Sequence, residues 1–225
     1  MQNELTQPGS LLDARGKLAQ VGWSRQPVLE CNLENARFYA LKFLQRFRIK
    51  RWDYYAVFTP RRFFSATIAD LGYAGNIFVY SLDFTTGDLH EEGAVIPFGK
   101  GIVLPRDSTS GLTTFKNKQM SLRFQANSGE RRIFVDWPGF HDGRGIKAEL
   151  TLRCPPDHES MTIVIPIEHN RFYYNRKINC LPAEGYIQYG DQRENLQPAN
   201  CRESAGPAHT AVSCTAIDCR GVWAD

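Results

Sequence analysis

Apolar and polar side chains alternate with a period of two through residues 46–84. Phe47 and Ile49 oppose Arg46, Arg48 and Lys50, and the alternation continues through residues 52–59, 63–70 and 77–84. Successive strand side chains point to opposite faces, so this periodicity predicts three consecutive strands. Pro60-Arg61-Arg62 and Gly72-Tyr73-Ala74-Gly75-Asn76 supply turn chemistry between them, and Thr85-Thr86-Gly87-Asp88 closes the third. The pattern resumes over residues 120–126, 132–137 and 146–153, joined by Asn127-Ser128-Gly129 and the glycine-rich stretch 139–145. Short strands joined by short turns predict an antiparallel meander.

Residues 159–189 carry the strongest strand signal. Residues 161–167 form an apolar, β-branched run without helical spacing, which predicts a strand buried on both faces. In the next strand Phe172, Tyr174, Arg176 and Ile178 share one face, and Tyr173, Asn175 and Lys177 the other. Pro182-Ala183-Glu184-Gly185 turns the chain into a last strand at 186–189.

Three segments break the pattern. Phe38, Leu41, Leu44 and Phe47 recur every three residues, which predicts a short helical or irregular segment running into the first strand. Residues 89–118 are interrupted by Pro97, Gly99, Gly101, Pro105 and Gly111 and read as irregular. Residues 195–216 hold Pro, Ala, Ser, Thr and cysteine without periodicity and read as loop or disorder. No long amphipathic helix lies between strands, which excludes a parallel βαβ sheet. The predicted organisation is a mobile N-terminal segment over 1–20, one all-β domain over 21–192 and an irregular tail over 193–225. The domain is expected to form an antiparallel barrel or curved sheet.

Composition refines this picture. The chain has 225 residues, 42% hydrophobic and 12% aromatic, which is globular rather than disordered. A net charge of +3 is too small to imply a polyanionic partner. No apolar run reaches the roughly 18 residues of a membrane-spanning helix. The start MQNELTQPGSLLDARG lacks a basic region followed by an apolar core, so no secretory signal is read. Six irregularly spaced cysteines then read as free thiols, and an intracellular, cytoplasmic location is expected. His209, Cys214 and Cys219, near Cys201, lack the tight C-x-x-C pairs of zinc sites, so no metal is predicted.

Catalytic motifs are missing. There is no Ser-His-Asp order, G-x-S-x-G elbow, P-loop or dinucleotide fingerprint, and Gly99-Lys100-Gly101 reads as a loop, so no cofactor is predicted. The candidate catalytic residues are Asp70, Glu159 and Lys177, with Tyr73 and Tyr174. A carboxylate and an ammonium facing an apolar cavity perturb each other's pKa and serve as acid and base. The competing reading is a structural ion pair with hydrogen-bonded neighbours. Trp23, Trp52, Tyr54, Tyr73, Tyr173, Asn175 and Lys177 are the candidate ligand-lining residues. His141, His158 and His169 occupy turn-like sequence and read as exposed loop histidines. The basic, aromatic stretch 37–64 allows stacking on nucleic acid or contact with an anionic membrane. Ordinary strand alternation explains it as well, and no nucleic-acid partner is predicted.

Five stretches together resemble the family known as domain of unknown function 2804. They are GWSRQP at 22–27, RIKRWDYYAV at 48–57, FFSATIADLGYAGNIFVYSLDF at 63–84, FGKGIVLP at 98–105, and the strand region from ESMTIVIPI to GYIQYG over 159–190. Asp218-Cys219-Arg220-Gly221-Val222-Trp223 resembles the family's D-W-G-R-G-V-W segment with a residue missing. Members of the family are longer, so the resemblance implies a C-terminally truncated chain with exposed apolar surface. The family is similar in architecture to the carotenoid-hydratase and AttH-like proteins, which pair two lipocalin-like β-barrels. The resemblance therefore implies a lipid or other apolar small molecule bound in a barrel-like cavity. The alternatives are a hydratase, isomerase or cyclase acting on an apolar substrate, and a basic surface module. Ligand identity, reaction and oligomeric state stay open at this level.

Overall fold

A computed structural model describes residues 3–168, 171–197 and 216–224. The strands are β1 (Gly9–Ser10), β2 (Gly22–Ser24), β3 (Leu29–Glu30), β4 (Ile49–Phe58), β5 (Arg62–Asp70), β6 (Ala74–Asp83), β7 (Leu89–Pro97) and β8 (Gly111–Lys116). They continue with β9 (Ser121–Ala126), β10 (Glu130–Trp137), β11 (Ile146–Arg153), β12 (Met161–Glu168), β13 (Arg171–Leu181), β14 (Ala183–Tyr189), β15 (Gln192–Leu196) and β16 (Ala216–Ala224). The larger sheet has eight strands in the order β2-β12-β13-β16-β4-β5-β6-β7, and the smaller has six in the order β15-β14-β11-β10-β9-β8. Every strand pairing within these two sheets is antiparallel, whereas the short β1–β3 pair and an isolated bridge between Glu4 and Trp23 are parallel.

The two sheets pack face to face. Alternate residues of each central strand point inward, so Tyr55, Phe64, Ile68 and Ile77 from the larger sheet meet Leu122, Phe124, Val135 and Leu150 from the smaller. The Tyr55 and Phe124 rings meet edge to face at 5.1 Å, a favoured aromatic geometry. A second, smaller core covers one end of the larger sheet. There Leu5, Leu11, Leu12 and Leu29 pack on Val164, Phe172 and Tyr174.

Several sequence expectations need correction. Each sheet has two open ends, so the described residues form a sandwich of open sheets and not a closed barrel. Residues 89–118 contain β7 and β8 because Gly and Pro interrupt only the connection between them. Residues 161–167 bury one face only: Thr162 and Val164 are buried, while Met161 and Ile165 are about half exposed. A β-branched run reports strand propensity, not two-sided burial. The segment 37–47 is indeed local and non-sheet, with a 3-10 helix over Lys42–Phe47.

The two ends of the chain also differ from the sequence reading. In the segment expected to be mobile, Leu5, Leu11 and Leu12 are buried and β1 pairs with β3. Gly22 makes this possible: a Cβ there would lie 2.1 Å from the Asn3 carbonyl oxygen, which accepts the Trp23 amide at 2.9 Å. In the expected irregular tail, β15 extends the smaller sheet and β16 pairs with both β13 and β4. Residues 198–215, with Cys201, His209 and Cys214, lie outside the described residues, as does His169. Among the described residues no helix is long and apolar enough to cross a membrane.

The core's dependence on facing rings is directly testable. Phe64→Ala is expected to cost about 3–5 kcal/mol in urea unfolding. Val95→Thr, on a side chain 72% exposed at the edge strand, is expected to change stability by less than about 0.5 kcal/mol.

Candidate functional site

The inner face of β4 explains where a cavity forms. Ile49 joins the small core, Tyr55 and Val57 join the main core, and Arg51 and Asp53 fall between them by the same alternation. On β13 the sequence repeats the device: Phe172 and Tyr174 pack under the N-terminal segment, Ile178 packs in the main core, and Arg176 lies between. Charged side chains cannot be packed against leucines without partners, so the two cores separate here. A cavity of about 570 Å³ opens beneath residues 27–34 and 104–109.

Its floor is polar, and its cover combines an apolar strip with charged residues, Glu30, Glu34, Arg106 and Asp107. Asp53 is wholly buried and accepts a 2.6 Å hydrogen bond from the Thr113 hydroxyl, also wholly buried on β8. Arg51 reaches Asp70 at 3.3 Å. The Arg176 guanidinium donates to the Ser160 hydroxyl at 3.2 Å and to the Ser108 carbonyl at 3.1 Å, which ties the loop to β13. Opposite stand Val28, Leu29, Leu33, Leu104 and Pro105. The Tyr174 hydroxyl donates to the Leu29 carbonyl at 3.1 Å, and burial raises its pKa. Desolvation pushes the Cys31 thiol in the same wall up to about 12, outweighing the nearby Arg51 and Arg106 charges.

An exposed clasp closes the rim. One Arg106 nitrogen meets Glu30 at 2.7 Å and Glu34 at 2.8 Å, joining the 104–109 loop to the segment above it. This arrangement accommodates a molecule with an apolar body and a hydrogen-bonding head. Among the described residues no group of three or more His, Cys, Asp or Glu side chains is placed to hold a metal ion.

The residues singled out from sequence distribute differently. Tyr174 lines the cavity, and Trp52 borders it. Trp23, Asn175 and Trp52 fall in one register row through Ile163 and Gly221, on the outward side of the larger sheet. Lys177 and Tyr54 share the next row, and Tyr173 stacks on Trp52 with ring centres 5.9 Å apart. Tyr73 is exposed at the β5–β6 turn under the Lys50 ammonium, 4.7 Å from its ring centre. Asp70 accepts the Gly72 amide at 2.8 Å besides pairing with Arg51. Glu159 is exposed and paired with Arg25 at 2.9 Å, far from Asp70 along the sheet. The structure therefore places the aromatic set on one outer face and leaves the five catalytic candidates scattered.

Asp53, Thr113, Cys31 and Arg106 line the cavity without being singled out by the sequence pattern, and Arg51 enters only as part of the basic stretch 37–64. Asp53 carried a readable signal, since it shares the inward phase of β4 with Tyr55 and Val57. Thr113 carried none while residues 89–118 read as irregular.

Comparison with known proteins adds the following. The family described as Domain of unknown function (DUF2804) matches residues 2–223. No curated protein matches the chain. Among solved structures, the crystal structure of kievitone hydratase from Nectria haematococca aligns with a TM-score of 0.43 at 9% identity. The alignment covers 78% of this chain and 48% of that one, so the chain spans about half the length of that protein.

Two measurements probe the cavity walls. Thr113→Val removes a donor from a fully buried carboxylate and is expected to lower unfolding free energy by about 1–3 kcal/mol. Only thiolate reacts with iodoacetamide, so peptide mapping after labelling at pH 8 should find exposed Cys180 modified well before Cys31.

Proposed function

The chain belongs to the DUF2804 family, and from that premise we propose that it binds a lipid-like small molecule in the cavity beneath residues 27–34. The observation that carries this reading is the mixed lining: Val28, Leu29, Leu33, Leu104 and Pro105 form an apolar strip over a floor of Asp53 and Thr113, with Glu30, Glu34, Arg106 and Asp107 in the same cover. The cavity's volume of about 570 Å³ lies within the roughly 300–1,000 Å³ typical of small-molecule sites. The apolar wall takes the ligand's hydrocarbon body. The floor takes a hydroxyl or similar polar head, because the Arg51 guanidinium lines it beside the Asp53–Thr113 pair.

A second reading is an enzyme of hydratase, isomerase or cyclase type. The observation favouring it is a desolvated carboxylate with a hydroxyl 2.6 Å away at the base of a cavity, the kind of group that exchanges a proton with a bound substrate. The nucleic-acid or membrane-surface reading has less support. In the basic stretch, Arg46 donates to the Gly72 carbonyl, Lys50 to the Phe47 and Leu71 carbonyls, and Arg61 pairs with Asp83.

Native mass spectrometry with organic extraction of the purified chain tests the proposal. A discrete apolar adduct is expected on the wild type and a loss of at least tenfold in occupancy on Leu104→Trp, whose larger side chain fills the cavity. Equal adduct on both proteins would place the ligand elsewhere. Asp53→Asn separates the two readings: retained adduct with lost conversion of the extracted compound marks an enzyme, and lost adduct marks Asp53 as the binding head.

A further inference from the structure

The opposite end of the sandwich holds a second cavity, of about 590 Å³, that shares no lining residue with the first. Its walls come from the β5 start, the β6–β7 turn, β7, residues 143–144 and the β14–β15 turn. His90 lines it, and His141 stacks on His90 with ring centres 3.6 Å apart and planes inclined by 25°. Tyr189 extends the stack, lying nearly parallel to His141 at 7°, and its hydroxyl contacts His141 Nδ1. The Arg62 guanidinium covers the Tyr189 ring at 5.4 Å and donates to the Ser81 hydroxyl at 2.6 Å. Arg61 and Arg144 also line it, with Arg61 Nη2 donating to the Gln192 side chain at 3.0 Å.

The acidic groups here are largely engaged. Asp83 Oδ1 accepts the Thr85 amide and hydroxyl at 2.9 and 2.5 Å, and Oδ2 accepts Arg61 Nε at 3.0 Å. Hydrogen bonds from Thr85 hold the Asp83 carboxyl well below the usual carboxylate range, so it keeps its charge and its partners. Asp88 accepts the Thr86 hydroxyl at 2.7 Å. Glu92 accepts the His141 amide at 2.5 Å, and Glu194 lies 3.8 Å from Arg62. Asp191 remains at the rim.

Local backbone geometry is unusual at the same place. His141 and Asp142 adopt consecutive left-handed conformations, with φ of 50° and 56°. Non-glycine residues rarely do so, and such conformations cluster where a side chain is held for use. The consequence is that His141 is turned onto His90 rather than out to solvent.

We propose that this second cavity binds a small oxyanion, a phosphate or carboxylate group, on Arg61, Arg144 and His90, with Arg62 as buried positive charge behind them. Guanidinium forks match the paired oxygens of such groups. Asp83 and Glu194 offset Arg62 at 3.7 and 3.8 Å and Asp83 also pairs with Arg61, so an additional proton on the stacked imidazoles is favoured when a further negative charge enters with it. Burial and the neighbouring His141 charge already lower the His90 pKa, Arg144 and Arg62 lower it further, and Asp88 opposes them. A bound oxyanion favours the imidazolium, so binding and protonation of His90 are coupled.

The test is a ring-nitrogen NMR titration of the full chain, with His90→Gln used to assign the signals. At constant ionic strength, inorganic phosphate or acetate is expected to shift the His90 resonances saturably and to raise the His90 pKa. The stronger of the two identifies the group. Arg144→Gln, at an exposed position, is expected to weaken binding at least tenfold with unchanged Tm, and Arg61→Lys to weaken it while keeping the charge. Unmoved His90 signals at tens of millimolar of either anion, or Arg144→Gln indistinguishable from wild type, would overturn the assignment.

Discussion

A charged side chain on the inner face of a packed sheet has to be given partners, and that constraint shapes this molecule. Asp53 lies wholly buried on β4 with Tyr55 and Val57 on the same face. Leaving an ionised carboxylate unpaired in an apolar interior costs far more than any single apolar contact contributes. Thr113 approaches from the other sheet, the two cores part, and the opening becomes a cavity instead of a packing fault. Arg176 on β13 imposes the same demand and draws the 104–109 loop inward through the Ser108 carbonyl.

The N-terminal segment completes that arrangement. Its leucines build the smaller core, and buried Asn32 bonds both the amide and the carbonyl of Leu12, at 2.9 and 2.7 Å. Residues 27–34 are thereby held over the polar floor, with Tyr174 fastened to Leu29 and Arg106 to Glu30 and Glu34. The attachments differ in kind. The buried hydrogen bonds persist in salt, while the exposed Arg106 pairs are weak and screened. The cover is thus fixed along its inner edge and lightly held at its rim.

The β-meander was legible because strand alternation is a local property. Residues 52–59, 63–70 and 77–84 read as strands and, but for Thr59 and Phe84, lie within β4, β5 and β6. The face assignment on β13 was equally readable, with Phe172, Tyr174, Arg176 and Ile178 buried as one set. Residues 89–118 were not legible, because their Gly and Pro density reads as irregular structure throughout. Phe98, Gly99 and Gly101 take positive φ in the connection, yet the strands on either side keep their alternation. The site was less legible. Strand phase put Tyr173, Asn175 and Lys177 together, but phase alone does not say which face is inside.

The chain by itself determined that it would form antiparallel strands, where the central ones of the meander lie, and which side chains share a face. It also carried a family resemblance spread over residues 22–190. Tertiary structure decided that the two sheets pack as open layers, that the N-terminal segment serves as a cover, and that Asp53 meets Thr113 sixty residues away. It likewise brought His90, His141 and Tyr189 into one stack. The physical reason is range. Periodicity and turn chemistry act between near neighbours, whereas a site is made by residues distant in sequence whose meeting depends on how whole sheets dispose of their inward charges.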